Sequence, residues 1–358
     1  MTEFNLDEIE PLYIKRPHLV IIGAGATKDT ILYGDKNKKV SPVMKGFLKE
    51  LNLEYILDGI DVRTKSDNLE DIYSELFDRG EECKTVRENL ENAIWEYYNN
   101  LELPDEPTKY DMLVLSLTKK DCIASFNWDP LLLQAYNRVS AYTKNLPEML
   151  FLHGNVWAGY CEKCKQYGPT KINCPKCGKP FTKSPLLYPV SHKDYASNIF
   201  IKDQWNVFKD YMSRTAILTI YGYGAPESDN DAIEILKTAF THYPVLHNFD
   251  SMEIIDKPGS DHSYIYDTWK NFINVVKGYV SIYDSIYEST IAKYPRRSVE
   301  VQYYRSMRGN WNAGSSIKFD GTESWGDIEN KIAPLKRDEV ENKNGKLKMI
   351  VDNNWKHK

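Results

Sequence analysis

His18-Leu-Val-Ile-Ile-Gly-Ala-Gly-Ala-Thr27 is the stretch that decides the fold of this chain. The apolar run from Leu19 to Ile22 is typical of a strand buried on both faces of a parallel sheet. Gly23 and Gly25 then allow the backbone to approach a neighbouring group closely. A strand that leads into such a turn is typical of phosphate-binding units, although the third glycine of the dinucleotide fingerprint is missing. A tight strand-to-helix turn without a ligand is the alternative interpretation.

Further short apolar segments end, like the first, in polar residues or glycines. We predict strands at 122–126, 149–152, 216–220 and 252–255. Helical segments separate them, and this alternation predicts an α/β protein with a mostly parallel sheet and helices on both faces. Ligands bind at the carboxyl ends of the strands in such sheets. We therefore expect one site formed by the residues that follow the strands, which are Gly23 to Thr27, Asn127 to Asp129, His153, Gly222 to Gly224 and Asp256.

The stretch from about 43 to 118 has the apolar spacing of amphipathic helices. One predicted face carries Leu69, Ile72, Tyr73, Leu76 and Phe77, and another carries Val86, Leu90, Ala93, Ile94 and Tyr97. We interpret these stripes as core. They predict a helical module inserted after the first strand and helix.

Four of the six cysteines lie within one short window, as the pairs Cys161/Cys164 and Cys174/Cys177. Two thiolates at this spacing chelate one tetrahedral ion, and a second pair completes its shell. The sequence therefore predicts a zinc ribbon at about 158–182, with Gly178 in the tight turn after the last cysteine. Four thiolates leave no position for water, so we expect the zinc to be structural.

Composition excludes several classes of protein. The 358 residues include 46 Lys plus Arg and 51 Asp plus Glu, so the net charge is −5. This acidic balance argues against a dedicated nucleic-acid binder. No run of about 18 apolar residues predicts a membrane span, and the acidic start MTEFNLDEIEP is unlike a signal peptide. We expect a cytoplasmic protein.

Taken in order, these motifs resemble the sirtuin superfamily. The resemblance is carried by Gly-Ala-Gly-Ala-Thr at 23–27, Ser-Phe-Asn-Trp-Asp at 125–129, Leu-His-Gly-Asn-Val at 152–156, the two cysteine pairs, and Tyr-Gly-Tyr-Gly-Ala-Pro at 221–226. It covers roughly residues 16–260 and is strongest to the bacterial sirtuin-like branch. Several members of that branch are NAD-hydrolysing effectors of antiphage defence.

The resemblance implies a Rossmann-like doubly wound domain at 16–260 that binds NAD. Its small domain would combine the zinc ribbon with the helical insertion. Residues 261–358 lie outside the resemblance, and their own pattern predicts a mainly helical extension with a polar tail from about 335 that is expected to be disordered. Asn127 would orient the nicotinamide ribose and the attacking water, and His153 would be the base near the ribose hydroxyls. The implied cofactor contacts are Gly23, Ala24, Gly25 and Thr27 at the pyrophosphate, Asp129 at the carboxamide, Gly222 and Tyr223 beside the adenosine, and Asp256 at the adenosine end. The zinc ligands would be Cys161, Cys164, Cys174 and Cys177.

The chain departs from the sirtuin deacylases at three places. Their Asp-Phe-Arg segment is replaced by the residues from Lys28 to Lys38, and Phe126 stands where a Gln usually precedes the Asn. The strand that pairs with an acyl-lysine peptide is replaced by the segment from Leu187 to Asp194, where Pro189 would remove a backbone donor. The residues of the NAD site are largely retained, whereas these departures argue against a peptide cleft.

These departures favour an NAD glycohydrolase that yields nicotinamide and ADP-ribose. The alternatives are an NAD-dependent protein deacylase or ADP-ribosyltransferase, and a non-catalytic module that senses NAD or ADP-ribose or assembles with other proteins. From the resemblance we also expect a homo-oligomer and a regulatory or ATPase protein partner.

Overall fold

The computed structural model describes residues 6–188, 198–225, 229–241, 251–273, 279–311 and 313–341. The helices are α1 Leu6–Tyr13, α2 Ala24–Thr30, α3 Phe47–Glu50, α4 Leu69–Asp78, α5 Lys84–Asn99, α6 Lys109–Leu115, α7 Leu131–Val139, α8 Ile199–Arg214, α9 Asn230–Thr241, α10 His262–Ile273, α11 Thr290–Lys293, α12 Ser298–Ser306 and α13 Trp325–Glu341. The strands are β1 His18–Ile22, β2 Cys122–Ser125, β3 Glu148–Phe151, β4 Ala158–Cys161, β5 Gln166–Pro169, β6 Thr182–Lys183, β7 Ile217–Tyr221, β8 Ser251–Ile255 and β9 Tyr279–Tyr283.

Six parallel strands form the main sheet in the order β3-β2-β1-β7-β8-β9. Counted by chain order among themselves, they run 3-2-1-4-5-6, which is the order of the Rossmann fold. The chain reverses direction across the sheet between β1 and β7, so the crevice of the fold opens beyond the carboxyl ends of these two strands. The predicted Rossmann-like parallel sheet is confirmed.

Burial on both faces explains the composition of the central strands. Every residue of β1 and of β7 is buried, as expected where helices cover both sides of a parallel sheet. His18, the polar first residue of β1, is tied through its two ring nitrogens to Ser298 and Thr219. Burial, with a smaller contribution from Lys120, lowers the pKa of His18 to about 3, so this ring is neutral and structural.

The helical module between β1 and β2 packs through the predicted stripes, with two differences. Leu69, Ile72, Tyr73 and Leu76 of α4 are buried, and so are Leu90 and Ile94 of α5. Phe77 is 48% exposed, however, and its ring lies under the Arg87 guanidinium. Tyr98, which the stripe did not include, is buried at the end of α5.

A second, antiparallel sheet of three strands, ordered β5-β4-β6, carries the four clustered cysteines. Its two cysteine turns share one geometry. The N–H of Lys165 donates to the carbonyl of Cys161, and the N–H of Gly178 donates to that of Cys174. Lys165 and Gly178 both have positive φ, at 50° and 69°. The glycine expected after the last cysteine suits this left-handed backbone, which Lys165 adopts at the matching position of the first turn.

The C-terminal extension is mainly helical, as predicted, but it also supplies a strand. β9 pairs with β8 at the edge of the main sheet and is half-exposed, so its sequence lacks the continuous apolar run of a central strand. Residues 335–341, where the polar tail was expected to begin, are helical, and the residues after 341 lie outside the described part of the chain. Leu335 is buried on α13, and that helix continues to Glu341.

Candidate active site

The turns after β1 and β7 pack backbone against backbone at the point where the strand order reverses. The N–H of Gly25 donates to the carbonyl of Gly222 over 2.9 Å. A Cβ on Gly23 would lie 2.7 Å from the Gly222 oxygen, and one on Gly222, whose φ is +60°, would lie 2.1 Å from the Ala26 nitrogen. This mutual packing by itself requires glycine at the three positions, so their presence is not on its own evidence for a ligand.

The first turn of α2 follows directly and faces the same crevice edge. Ala24 and Gly25 are half-buried, and the N-cap residue, Gly23, offers no side chain to the helix. The pyrophosphate role of this turn stays a prediction. Thr27, by contrast, is fully buried, and its hydroxyl forms hydrogen bonds with other protein groups.

Asn127 stands at the end of β2 with its amide orientation fixed. Its Nδ2 donates to the carbonyl of Gly23 over 2.8 Å and to the Thr27 hydroxyl over 2.9 Å. Both amide hydrogens are therefore used by the protein. Oδ1 is left as the acceptor of a half-buried side chain, a suitable position for holding a water or a sugar hydroxyl.

Behind Asn127 lies a buried chain of hydrogen bonds. Thr27 Oγ1 donates to Asp129 Oδ2 over 2.8 Å, so the Tyr110 hydroxyl, 2.6 Å from Thr27 Oγ1, is the donor in that contact. The Asp129 Oδ1 accepts from the backbone of Leu131 at the start of α7. The predicted carboxamide ligand Asp129 is thus 3% exposed and bonded through both oxygens to protein groups.

Burial has the largest effect on the pKa values of Asp129 and Tyr110 in this hydrogen-bond network. It raises the pKa of Asp129 to about 6, against the opposing effect of the Thr27 hydrogen bond. Burial, followed by the Asp129 charge, also raises the pKa of Tyr110 well above its usual value. Tyr110 therefore stays a neutral donor at physiological pH.

His153 follows β3 at the position that corresponds to Asn127 after β2, because Ser125 pairs with Phe151. The ring of Phe126 meets the His153 ring edge-on at 4.7 Å and stacks on Tyr223 at 4.2 Å. His153 Nε2 lies 3.6 Å from Asp229 Oδ1, and the Tyr223 hydroxyl donates to Asp229 Oδ2 over 2.8 Å. The structure therefore brings His153 and Tyr223 together through Asp229.

The loop after His153 is held by close packing. Gly154 has a φ of +80°, and a Cβ there would lie 1.7 Å from the carbonyl oxygen of Pro185. Asn155 is buried and donates to the Asp129 carbonyl, while its own backbone exchanges hydrogen bonds with the Ser184 hydroxyl. The His153 loop is thereby tied both to the Asn127–Asp129 turn and to the exit of the small sheet.

In the described residues Asp256 shares no hydrogen bond with this cluster. Its N–H donates to the Tyr283 carbonyl, and its Oδ1 accepts from the backbone of Lys257. It does sit at the carboxyl end of β8, beside Gly222, whose N–H donates to the carbonyl of Ile255. Its role at the adenosine end stays a prediction.

Three residues of the site escaped sequence reasoning. Tyr110 lies 83 positions after Thr27, on the last helix of the helical module. Asn155 resembles an ordinary turn residue. Asp229 directly precedes α9, a position that by itself indicates only a helix cap. The one available signal is the Leu-His-Gly-Asn-Val motif at 152–156, which includes Asn155.

The small sheet brings its four cysteine sulfurs together as one tetrad. The sulfurs of Cys161, Cys164, Cys174 and Cys177 lie within 4.8 Å of one another, and those of Cys161 and Cys177 are 3.6 Å apart. An ion with four sulfur ligands at ~2.3 Å has tetrahedral edges of ~3.8 Å. The tetrad therefore fits a structural zinc, as predicted.

Comparison with known proteins gives likeness of fold alone. No family model and no curated protein matches the chain. Among solved structures, a Sir2 complex with a deacetylated p53 peptide and 3'-O-acetyl ADP-ribose is 12% identical with a TM-score of 0.35, over 86% of this chain and 99% of that one. A Sir2 homologue bound to NAD is 14% identical with a TM-score of 0.35, over 83% of this chain and 91% of that one.

In the part of the chain that the structure describes, no helix is both long and apolar enough to cross a membrane.

Proposed function

We propose that this chain is an NAD glycohydrolase that cleaves NAD to nicotinamide and ADP-ribose, and that it acts as a regulated effector of bacterial antiphage defence. The observation that carries the proposal is the Asn127 amide, whose two hydrogens are held by Gly23 and Thr27 while Oδ1 remains as an acceptor. It stands level with His153 at the ligand-binding edge of a Rossmann-type sheet. The connection to antiphage defence comes from the motif resemblance.

These residue types suit cleavage of a glycosidic bond. Loss of nicotinamide from the ribose generates an oxocarbenium-like centre, which positioning and fixed dipoles stabilise without a strong acid. Asn127 Oδ1 would accept from the attacking water and hold it on one face of the ribose. His153 would take a proton from the water or a ribose hydroxyl, a step that contributes typically about 10²- to 10⁴-fold.

The region that would bind an acyl-lysine peptide differs from that of the deacylases. The N–H of Leu187 donates to the carbonyl of His153, so this segment already lies against the loop that carries the proposed base. Tyr188 continues it into the helical module, where its ring stacks on Tyr73. Pro189 and the residues up to 197 lie outside the described residues. Because the backbone of Leu187 and His153 is already paired within the protein, this segment favours hydrolysis of NAD over deacylation of a bound peptide.

Product analysis tests the proposal. Purified full-length protein is incubated with NAD, alone and with the proteins encoded by neighbouring genes, and the products are separated by chromatography. We expect nicotinamide and ADP-ribose in equal amounts, with a rate that an acetyl-lysine peptide does not change. Acceleration by the peptide would indicate a deacylase, and tight nucleotide binding without product would indicate a sensing module. Either result contradicts the proposal.

A further inference from the structure

A buried carboxylate faces the proposed base. Asp229 lies between β7 and α9 and is 4% exposed, and His153, whose Nε2 is 3.6 Å from it, is 6% exposed. A charge at this depth interacts far more strongly than the same pair would at the surface. The contact therefore affects the relative free energies of the neutral and the protonated forms of His153.

The other oxygen of this carboxylate is also engaged. The Tyr223 hydroxyl donates to Asp229 Oδ2 over 2.8 Å, and Phe126 packs on the rings of both Tyr223 and His153. A hydroxyl that donates to a carboxylate favours its ionised form. Phe126 fixes the plane of the imidazole. The three rings and the carboxylate thus form a preorganised unit, in which Asp229 is a charged neighbour of His153.

We propose that Asp229 is a positioning residue for His153: it accepts the hydrogen of Nε2, so that the imidazole keeps its lone pair on Nδ1, and it stabilises the imidazolium that forms when His153 takes a proton. The separation of 3.6 Å is longer than a hydrogen bond, and such contacts often tighten when substrate binds. Tyr223, predicted to lie beside the adenosine, acts in this arrangement as the donor that holds Asp229. The part of this inference that concerns turnover rests on the proposed function.

The substitution Asp229→Asn isolates the charge. Asp229 directly precedes α9, where it is placed to cap the helix, and Asn caps helices as well as Asp does. The variant therefore keeps the shape and any capping bond while losing the negative charge. Tyr223→Phe is the matched control, because it removes the hydroxyl and leaves both the carboxylate and the stacked ring.

NMR of the histidine side chains detects the contact between His153 and Asp229 without requiring enzymatic turnover. The full-length protein is labelled with ¹⁵N-histidine, and the His153 signals are assigned by their loss in His153→Gln. The groups that face this ring in the described structure include Asp229 and, through it, Tyr223, while the neighbouring Phe126 and Leu187 carry no charge. We expect the neutral ring of the wild type to carry its hydrogen on Nε2.

In Asp229→Asn we expect the pKa of His153 to fall by about 1 unit or more, as happens when a nearby opposite charge is lost. In Tyr223→Phe it should stay within about half a unit. With NAD as substrate, kcat of Asp229→Asn should fall about 10²-fold with little change in KM, while its thermal midpoint stays close to that of the wild type.

The two claims fail separately. An unchanged tautomer and pKa in Asp229→Asn would overturn the role of Asp229, whatever the activity. The expected NMR shifts in a protein that releases no nicotinamide would support the contact between Asp229 and His153 and count against the proposed function.

Discussion

Asp129 shows at the residue scale how burial creates a pH-dependent cost. Its carboxyl is ionised in the unfolded chain above about pH 4, whereas burial raises the pKa of the folded state to about 6. The native state therefore binds more protons than the unfolded state between these values. The contribution of Asp129 to stability is fully present below about pH 4 and is lost as the pH rises through 6.

Asp129→Asn should remove this dependence. As the pH is raised from 4 to 7, we expect the free energy of unfolding of the wild type to fall relative to that of the variant by up to about 3 kcal/mol. The thermal midpoint of the wild type should fall with it. Calorimetry at several pH values measures the difference. Asp58→Asn, at an exposed position, is the control. Its plot of stability against pH should run parallel to that of the wild type. A constant difference between wild type and Asp129→Asn would show that this carboxyl does not titrate as described.

Of the glycines in the described residues, Gly154 has the shortest distance from an added Cβ to a neighbouring atom. Its φ is +80°, and a Cβ would lie only 1.7 Å from the Pro185 oxygen, so alanine must displace the loop that carries His153. We expect Gly154→Ala to lower stability by at least about 2 kcal/mol, measured by urea unfolding. Gly224→Ala is the matched control, because a Cβ there meets no atom of the described residues within 4 Å. Equal stability of the two variants would contradict the described packing.

At the scale of elements, the zinc ribbon supports the site as well as its own sheet. Ser184, one residue after β6, exchanges hydrogen bonds with the backbone of Asn155, two residues after His153. The strands of this sheet have two to four residues each, so a metal ion bound by the four cysteines would stabilise the turns on which the sheet depends. Loss of the metal should therefore loosen the His153 loop.

Cys174→Ser should lower the zinc content from one ion per chain and raise amide hydrogen exchange across 158–184 and at 153–156. Native mass spectrometry and exchange mass spectrometry give the two measurements. Cys83→Ser, which alters a buried cysteine outside the tetrad, is the control and should keep its zinc. Unchanged exchange at 153–156 in the zinc-free variant would show that the ribbon does not support the site.

The sequence predicted those elements whose local pattern matches their burial. The apolar run of β1 and the two cysteine pairs are such cases, because a two-sided sheet and a tetrahedral ion each demand a fixed local pattern. β9 was missed because an edge strand is half-exposed. Tyr110 and Asp229 were missed because each meets its partner only through the tertiary fold, and no spacing along the chain encodes that contact.

At the scale of the whole molecule, α13 is fastened to the sheet domain by two buried arginines. Arg296, whose side chain is fully buried, pairs with Glu339 and donates to the carbonyls of Leu115 and Leu117. Arg297 pairs with Asp338 over 2.6 Å. Leu115 ends α6, the helix whose first turn carries Tyr110. The C-terminal extension thus contacts the end of α6, and the first turn of that helix carries Tyr110 of the site.

Glu339→Gln should leave Arg296 as a buried charge with an incomplete partner. We expect a loss of about 3 kcal/mol or more in urea unfolding, in the range found when one member of a buried ion pair is removed. Glu81→Gln, which alters an exposed pair with Lys84, is the control and should change stability by less than about 0.5 kcal/mol. If both variants lose equally little, α13 does not depend on this ion pair.

The edge of the sheet marked by Asn127 and His153 is where we propose that NAD is cleaved. The most direct test is the rate of nicotinamide release by the wild type, Asn127→Ala and His153→Ala, at equal protein concentration and under the condition that activates the wild type. We expect release by the wild type and a loss of at least about 10²-fold in each variant, with thermal midpoints that show all three to be folded. Full activity in either folded variant would contradict the role of that residue, and full activity in both would place the chemistry elsewhere.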